Sequence, residues 1–261
     1  MGAVLYHGEP NGASLTVLAA LAESGLDIPC RPIALLAGAR HSLPGIAEPI
    51  ALDLGIEGEG PVLVAGGEAM TESVFLAQYL DELAGGCGLQ PDDAYAHWEM
   101  LMWCRQITER LSPAAALLGN LASSQAAIAA IPADDFAALT AAIVSDDLRA
   151  RWQALHDGTI DAAQVADSEA KVDQTAQRCE DKLADGRDFL MGDFSIADLV
   201  TYSWLAGMEP IRPAAFAERP RTRAWLARVA VRPCILAAMA MASTPEPLKT
   251  WAPGPEINRW G

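Results

Sequence analysis

The sequence is short of basic residues and of long apolar runs. Lys and Arg together number 18 among 261 residues, against 34 Asp and Glu, which gives a formal net charge of −16. Because Lys and Arg dominate binding to phosphate groups, this balance argues against nucleic acid or an anionic membrane as a partner. The longest apolar run near the N-terminus, residues 15–22, is too short to span a bilayer, and no basic segment precedes it.

Cysteine is also scarce and scattered. The five Cys residues are far apart, are odd in number and form no Cys-x-x-Cys pair. This pattern argues against a disulfide framework and against a zinc site, and it fits a reducing, cytoplasmic location. We therefore expect each Cys to be a small buried apolar residue, and we expect no metal site. A hydrophobic content of 51% indicates a globular protein with a substantial core.

The most informative stretch runs from residue 60 to residue 83. A short β-branched run after Pro61 is followed by a Gly-Gly pair, a typical hairpin signal, and by a second short strand. Thr71 then has the character of an N-cap ahead of apolar residues at helical spacing. Two strands thus lead into a helix N-terminus that carries Glu72 and Ser73. Such an end offers N–H groups and partial positive charge to an anion.

The rest of the chain divides into a mixed half and a helical half. Residues 3–6 predict a strand, and Ser14 is predicted to open a helix that stops at Gly25. Residues 28–36 predict an edge strand or an irregular one, because they contain two prolines. With the hairpin and its helix, the order is βαβ–ββα, which is thioredoxin-like. After residue 93 the periodicity predicts only helices. The predicted parts are an α/β thioredoxin-like domain (1–84), a linker (85–92), an all-α domain (93–243) and an irregular tail (244–261).

Two motifs resemble the glutathione transferases. In that family a cis-proline strand precedes a Gly-containing hairpin and a Glu-Ser pair at a helix start, as at residues 60–73 here. An ordinary hairpin and capped helix would account for this motif taken alone. The second motif, Gly192-x-x-Ser195-Ile-Ala-Asp198, is similar to the start of the core helix in the family's all-helical domain, where it forms a capping box. The resemblance implies a cis peptide bond before Pro61.

The resemblance also implies a site for glutathione. Gly60 and Pro61 would present backbone to its cysteinyl part, and Glu72 and Ser73 would hold its γ-glutamyl end. Ser14, at the start of the first helix, would donate a hydrogen bond to the glutathione thiolate, which the helix dipole also favours. A plain N-cap serine would occupy the same place, and the spacing does not separate the two roles.

Within the superfamily, the opening residues 5–15 are similar to those of the bacterial lignin β-aryl-etherases. In these enzymes a glutathione thiolate attacks the carbon that bears an aryloxy group and expels a phenolate. The resemblance implies a lignin-derived aromatic ether as substrate and a homo- or heterodimer as assembly. Met100, Trp103 and Trp204 are the candidate walls of the substrate site, although aromatic residues at helical spacing are also typical of a plain core.

The sequence departs from the etherase pattern at the first loop. Ala13 stands where the etherases have an Asn next to the Ser, and Asn11 is the candidate substitute from the other side of Gly12. A second hypothesis follows: the chain is a non-catalytic or weakly active subunit that stabilises a heterodimer with a catalytic homologue.

A second departure lies before Pro61. Glu57 and Glu59 bring negative charge near an anionic tripeptide, and this loop contains no Lys for the glycyl carboxylate of glutathione. Arg40 and His41 are the remaining candidates for that carboxylate. A lone loop histidine such as His41 is more often an ordinary surface residue.

Overall fold

A four-stranded mixed sheet forms the N-terminal part of the computed structural model, which describes residues 2–34, 60–143 and 145–251. The strands are β1 (Ala3–His7), β2 (Cys30–Pro32), β3 (Val62–Ala65) and β4 (Glu68–Met70), in the order β2-β1-β3-β4. β1 is parallel to β2 and antiparallel to β3, and β3 is antiparallel to β4. Helix α1 (Gly12–Ser24) joins β1 to β2, and helix α2 (Ser73–Leu83) follows β4. The predicted thioredoxin-like order is confirmed.

Local chemistry accounts for the turns of this sheet. Gly66 and Gly67 both have positive φ, at 63° and 89°, as a tight hairpin turn requires, and the predicted hairpin is confirmed. β2 pairs on one side only and is three residues long, because prolines cannot donate ladder hydrogen bonds. α1 ends at Ser24, where Gly25 adopts the left-handed conformation, as predicted.

The C-terminal part is helical, as predicted. Its helices are α3 (Ala94–Gln106), α4 (Ser112–Ser123), α5 (Gln125–Ala129), α6 (Ala133–Thr140), α7 (Asp146–Asp157), α8 (Ala162–Lys182), α9 (Ile196–Leu205), α10 (Pro220–Ala230) and α11 (Pro233–Met239). One predicted helix over residues 94–118 is instead two, joined by a π-helical turn at Ile107–Leu111. Pro113 lies in the first turn of α4, where its missing N–H and its ring do not fit a continuous α-helix.

Helix α1 is the element on which the two halves meet. It packs against α2 and also against α9 and α11, and its residues from Gly12 to Leu21 are all buried. An ion pair of 2.8 Å between Glu23 of α1 and Arg232 ties its C-terminal end to the helical part. The position of the α1 N-terminus is therefore set by both halves of the chain.

Two further sequence predictions bear on function. Cys104, Cys179 and Cys234 are buried as predicted, whereas Cys30 and Cys87 are half-buried, so the prediction is wrong for these two. Burial raises the pKa of all five Cys thiols, to about 12 at Cys87 and Cys234, so the protonated, weakly nucleophilic form is favoured. Among the described residues, no group of three or more His, Cys, Asp or Glu is arranged to hold a metal ion. None of the helices in the same ranges is long and apolar enough to cross a bilayer.

Candidate functional site

The register of the sheet brings three predicted features to one edge. Tyr6 pairs with Val62, and Leu63 pairs with Met70. β3 therefore begins where β1 and β4 end. The loop after β1, the residues before β3 and the N-terminus of α2 consequently lie at the same edge of the sheet. The loop after β1 leads directly into α1, whose N-terminus lies at this edge too.

The α1 N-terminus differs from the prediction by two residues. Helix α1 begins at Gly12 with Asn11 as its N-cap, so the prediction that Ser14 opens the helix is wrong. Asn11 has extended backbone, and its Oδ1 accepts a hydrogen bond of 3.0 Å from the Gly12 N–H. Asn is among the preferred N-caps, and Gly12 readily adopts its φ of 50°. Ser14 is thus the third residue of the helix, inside its first turn.

Ser14 is held from the loop that precedes it. Its side chain is buried, with 3% of the residue exposed, and its Oγ accepts a hydrogen bond of 2.9 Å from the Gly8 N–H. A hydroxyl that accepts one bond still has its own proton to donate, and no described residue accepts that proton. The N–H groups of Ala13 and Ser14 likewise have no acceptor within the described ranges, as is usual in a first helical turn. This end of α1 can therefore donate hydrogen bonds to an anion.

The side chain of Asn11 faces the C-terminal segment. Its Nδ2 donates to the carbonyl oxygens of Leu248, at 3.4 Å, and Thr250, at 3.2 Å. Ahead of it in the same loop, Glu9 accepts a hydrogen bond of 3.1 Å from the Ser243 N–H. The role predicted for Asn11 beside a thiolate stays a prediction, and the structure shows its amide already bonded to this segment.

Trp251 anchors that segment in a slot that two glycines leave open. Trp251 is only 2% exposed, and its carbonyl accepts a hydrogen bond of 2.8 Å from Ser124 Oγ. A Cβ at Gly119 would lie 2.4 Å from the indole, and one at Gly207 would lie 2.9 Å from it. The irregular tail is therefore packed on the helical part through Trp251, while Trp260 lies outside the described residues.

We expect Gly119→Ala to destabilise the protein by about 1–3 kcal/mol, because the new methyl group overlaps the buried Trp251 ring. In a Trp251→Ala background the same change should be neutral, or stabilising by about 1 kcal/mol, because alanine is the better helix former. Urea unfolding of the wild type, the two single variants and the double variant measures how the effect of Gly119→Ala on the free energy of unfolding differs between the two backgrounds. An equal cost in both backgrounds would show that the indole does not occupy the slot.

The residues before β3 correct one further prediction. Within the described ranges no peptide bond is cis, so the bond before Pro61 is trans and the prediction of a cis bond is wrong. An X–Pro bond favours trans by only about 0.5–1 kcal/mol, so a proline beside a turn does not by itself select the cis form. Gly60 and Pro61 are both buried at the start of β3. That they present backbone to glutathione stays a prediction.

The α2 N-terminus has unusual backbone. The helix begins at Ser73, its N-cap is Glu72, and the Leu76 N–H bonds to the Glu72 carbonyl at 2.8 Å, so the prediction of Thr71 as cap is wrong. Glu72 has φ 71° and ψ 106°, and among the described residues it is the one non-glycine with positive φ. Such a conformation costs about 1–3 kcal/mol and is concentrated at binding and catalytic sites. Ser73 beside it is fully buried.

Of the three predicted substrate walls, Trp204 lies at the α1 N-terminus. A Cβ at Gly12 would lie 2.8 Å from Cη2 of the Trp204 ring. The Trp103 indole N–H instead donates to Thr201 Oγ1 at 2.9 Å, and the Arg178 guanidinium lies 4.8 Å from its ring centroid. These contacts are with α8 and α9.

Of the remaining predicted site residues, Met100 alone lies in the part of the chain that the structure describes. Met100 is fully buried in α3. Arg40 and His41 lie outside the described residues. A substrate role for Met100 and Trp103 stays a prediction, as does binding of the glycyl carboxylate of glutathione by Arg40 and His41.

Sequence reasoning gave no role to His7, which also lies at this edge. His7 ends β1 and is 1% exposed, and its Nδ1 lies 2.7 Å from the carbonyl oxygen of Gly8. The sequence signal was a histidine at the end of an apolar strand, directly before the glycine-containing loop. That position predicts a ring buried under the loop that leads into α1.

Comparisons with known proteins agree with this architecture. Residues 135–233 match the family described as glutathione S-transferase, C-terminal domain. No curated protein sequence matches the chain. Among solved structures, the β-etherase LigF from Sphingobium sp. strain SYK-6 has the same fold, with a TM-score of 0.79, 22% identity, and coverage of 93% of this chain and 100% of LigF.

Two other solved structures share the fold and contain glutathione. A glutathione transferase homologue from Sulfitobacter, with bound glutathione, has a TM-score of 0.62 and 16% identity, and covers 92% of this chain and 97% of its own. A family member from Pseudomonas fluorescens pf-5, with two glutathione molecules bound, has a TM-score of 0.63 and 17% identity, over 91% and 92% of the two chains. Residues 135–233 therefore match the C-terminal domain family of the glutathione S-transferases, and the chain shares the fold of these solved structures over nine-tenths of its length.

Proposed function

We propose that this chain is a glutathione-dependent transferase that cleaves β-aryl ether bonds in lignin-derived aromatics. The observation that carries the proposal is the Ser14 hydroxyl, which lies in the first turn of α1 and accepts from the Gly8 N–H. Its proton and the unbonded N–H groups of the same turn can all stabilise a thiolate at the α1 N-terminus.

The required stabilisation is modest. A free thiol has a pKa of about 8.5, so the thiolate is the minor form at neutral pH. Each unit by which the pKa falls corresponds to about 1.4 kcal/mol of preference for the thiolate. One hydrogen bond to a charged group, together with the helix dipole, supplies about 1–3 kcal/mol, enough to lower the pKa by one to two units.

Once the thiolate has formed, the protein needs only to align it with the ether substrate. The thiolate attacks the carbon that bears the aryloxy group, the C–S bond forms as the C–O bond breaks, and the electron pair leaves with a phenolate, which takes a proton from water. The etherase assignment is supported by the TM-score of 0.79 to the β-etherase LigF, compared with 0.61–0.66 for the other transferase structures compared.

The binding half of the proposal is tested at the α2 N-terminus. We expect the protein to bind glutathione and to release phenol from a β-aryloxy ketone. We expect Ser73→Ala to weaken glutathione binding about 10- to 100-fold, as the loss of one hydrogen bond to a charged group would. Thr71→Ala, two residues earlier, is the matched control and should bind as the wild type does. Isothermal titration calorimetry measures both. Wild-type protein that does not bind glutathione would overturn the proposal.

A second candidate function is a subunit with little or no activity of its own, which stabilises a catalytic homologue in a heterodimer. The observation that favours it is the amide of Asn11, which bonds to the carbonyls of Leu248 and Thr250 and so is not directed toward a thiolate. Expressed alone, such a chain would bind glutathione poorly and release no phenol, yet it would co-purify with a homologue.

We also propose a dimer, as the family resemblance implies. Phe75, Tyr79 and Leu83 are exposed at four-residue spacing on one face of α2, and Phe75 is 65% exposed. On α3, Tyr95 and Trp98 are also exposed, with ring centroids 5.6 Å apart. Exposed apolar surface of this kind is typical of protein–protein interfaces.

We expect sedimentation velocity to show a dimer for the wild type and a monomer for Phe75→Glu, because burying an unpaired carboxylate in an interface is costly. Val231→Glu, at an apolar residue that follows α10 and is 68% exposed, is the control and should leave the dimer intact. A dimer that survives Phe75→Glu would show that this face is not the interface.

A further inference from the structure

Two hydrogen bonds link His7 to Ser14 through a single glycine. His7 Nδ1 lies 2.7 Å from the Gly8 carbonyl oxygen, and the Gly8 N–H donates to Ser14 Oγ at 2.9 Å. His7 and Ser14 are both buried, and the three residues lie between the end of β1 and the first turn of α1. Nothing in the family resemblance or in the comparisons gives His7 a role.

The partner of Nδ1 fixes the tautomer of His7. A carbonyl oxygen only accepts hydrogen bonds, so Nδ1 must carry the proton. Burial lowers the pKa of His7, although the Gly8 carbonyl and the charge of Glu9 oppose this effect. The ring is therefore neutral near pH 7, with a lone pair on Nε2.

Nε2 is buried and has no hydrogen-bond partner in the described ranges. Leaving a buried polar atom unpaired is unfavourable, and a phenyl ring would fill a purely apolar site without that cost. The feature of His7 that an apolar residue could not reproduce is the Nδ1–H donor to Gly8. This indicates that the function of His7 depends on the Nδ1–H hydrogen-bond donor and not on the volume that its ring fills.

We propose that His7 is a positioning residue that acts through Gly8 on Ser14. Glycine has the widest choice of backbone conformations, so the Gly8 N–H is directed at Ser14 Oγ only while something holds Gly8 in place. The bond from Nδ1 to the Gly8 carbonyl does so. With the Gly8 N–H on one side of Oγ, the Ser14 proton is left to point toward the thiolate. This inference rests on the proposed function of Ser14.

Two replacements of His7 separate the donor from the ring. His7→Asn places an amide N–H where Nδ1 was and keeps a donor for the Gly8 carbonyl, whereas His7→Phe keeps the ring and removes the donor. We expect His7→Phe to raise the pKa of enzyme-bound glutathione by about 0.5–1 unit, since it removes only part of the thiolate stabilisation supplied by one hydrogen bond to a charged group. The thiolate absorbance near 240 nm, followed against pH, measures this shift. In His7→Asn the pKa of enzyme-bound glutathione should stay close to the wild-type value.

A double-mutant cycle with Ser14→Ala tests whether His7 acts through the hydroxyl. If it does, His7→Phe has no further effect on the thiol pKa or on turnover once Ser14 is alanine. An equal effect of His7→Phe in both backgrounds would overturn the proposal, as would full activity of His7→Phe in the wild-type background. Thermal unfolding of each variant identifies any that fails to fold.

A measurement without glutathione keeps this test separate from that of the proposed function. In ¹⁵N-glycine-labelled protein, the Gly8 amide resonance is assigned by its absence from Gly8→Ala. Its proton shift should move upfield in His7→Phe and in Ser14→Ala, because the hydrogen bond to Oγ is weakened or lost, and it should return in His7→Asn. An unmoved Gly8 resonance in His7→Phe would refute positioning by His7. A moved resonance in a protein that neither binds nor ionises glutathione would refute the proposed function and leave the positioning intact.

Discussion

Replacing Asp198 by alanine is expected to lower the free energy of unfolding by about 4 kcal/mol, because several buried donors lose their acceptor at once. Asp198 is completely buried, and its Oδ1 accepts from the Leu190 N–H at 2.9 Å and from the Trp225 indole N–H at 2.8 Å. Its Oδ2 accepts from the Ser195 N–H at 3.1 Å and from the Ser195 hydroxyl at 3.2 Å. The capping box predicted for Ser195 and Asp198 is confirmed, and the same carboxylate also holds the loop before α9 and helix α10.

Urea unfolding followed by circular dichroism measures this loss. Asp193→Ala, in the same loop but on an exposed side chain, is the matched control and should change stability by less than about 0.5 kcal/mol. Equal, small effects of the two substitutions would show that the Asp198 network contributes little to the fold.

The pH dependence of stability gives a second check on Asp198. Burial raises its pKa to about 6, although the four hydrogen bonds oppose the shift. A carboxyl whose pKa is raised on folding adds stability that is fully present below the unfolded pKa, about 3.9, and that is lost as pH rises through the folded pKa. Between pH 4 and pH 6 the wild type should therefore lose stability relative to Asp198→Asn. A parallel course of the two curves would contradict the raised pKa.

Local sequence signals predict the hairpin and the helix starts because these features depend mainly on residues that are close together in the sequence. The Gly-Gly pair can adopt the positive φ of a hairpin turn in almost any context, and a Ser three residues before an Asp satisfies two helix N–H groups in almost any context. The start of α1 was less predictable, because Asn11 and Ser14 are both good caps. Gly12 and the Trp204 ring packed on it belong to distant parts of the sequence, so the choice between the two caps is not visible locally.

The sequence predicted which residues lie at the candidate site. It did not predict the contacts between distant residues around that site. The register of short strands brings the predicted Pro61, Glu72 and Ser14 to one edge of the sheet, as the thioredoxin-like order implies. The burial of Trp251 against Gly119 was not predictable, since an aperiodic tail gives no sign of its partner and a helical glycine has no sequence pattern of its own. Long-range complementarity of this kind appears only once the chain is folded.

Replacing Ser14 by alanine is expected to have the largest effect on activity. If the hydroxyl stabilises the thiolate as proposed, its loss should raise the pKa of bound glutathione by about one unit, since the helix dipole remains, and should reduce kcat/KM near pH 7 by about tenfold. Ser24→Ala makes the same change at the other end of α1, where the hydroxyl donates to the Leu21 carbonyl. It should leave activity unchanged.

The pH profile distinguishes a thiolate role for Ser14 from a structural one. Above the pKa of the free thiol, glutathione is ionised without help from the protein, so the rates of Ser14→Ala and wild type should converge at alkaline pH. A cap or packing role would instead lower the rate by the same factor at every pH, because it would disturb the α1 N-terminus whether or not the thiol is ionised. A constant ratio of the two rates from pH 6 to pH 10 would therefore refute the role of Ser14. It would also refute the proposed action of His7, since that action is exerted through the Ser14 hydroxyl.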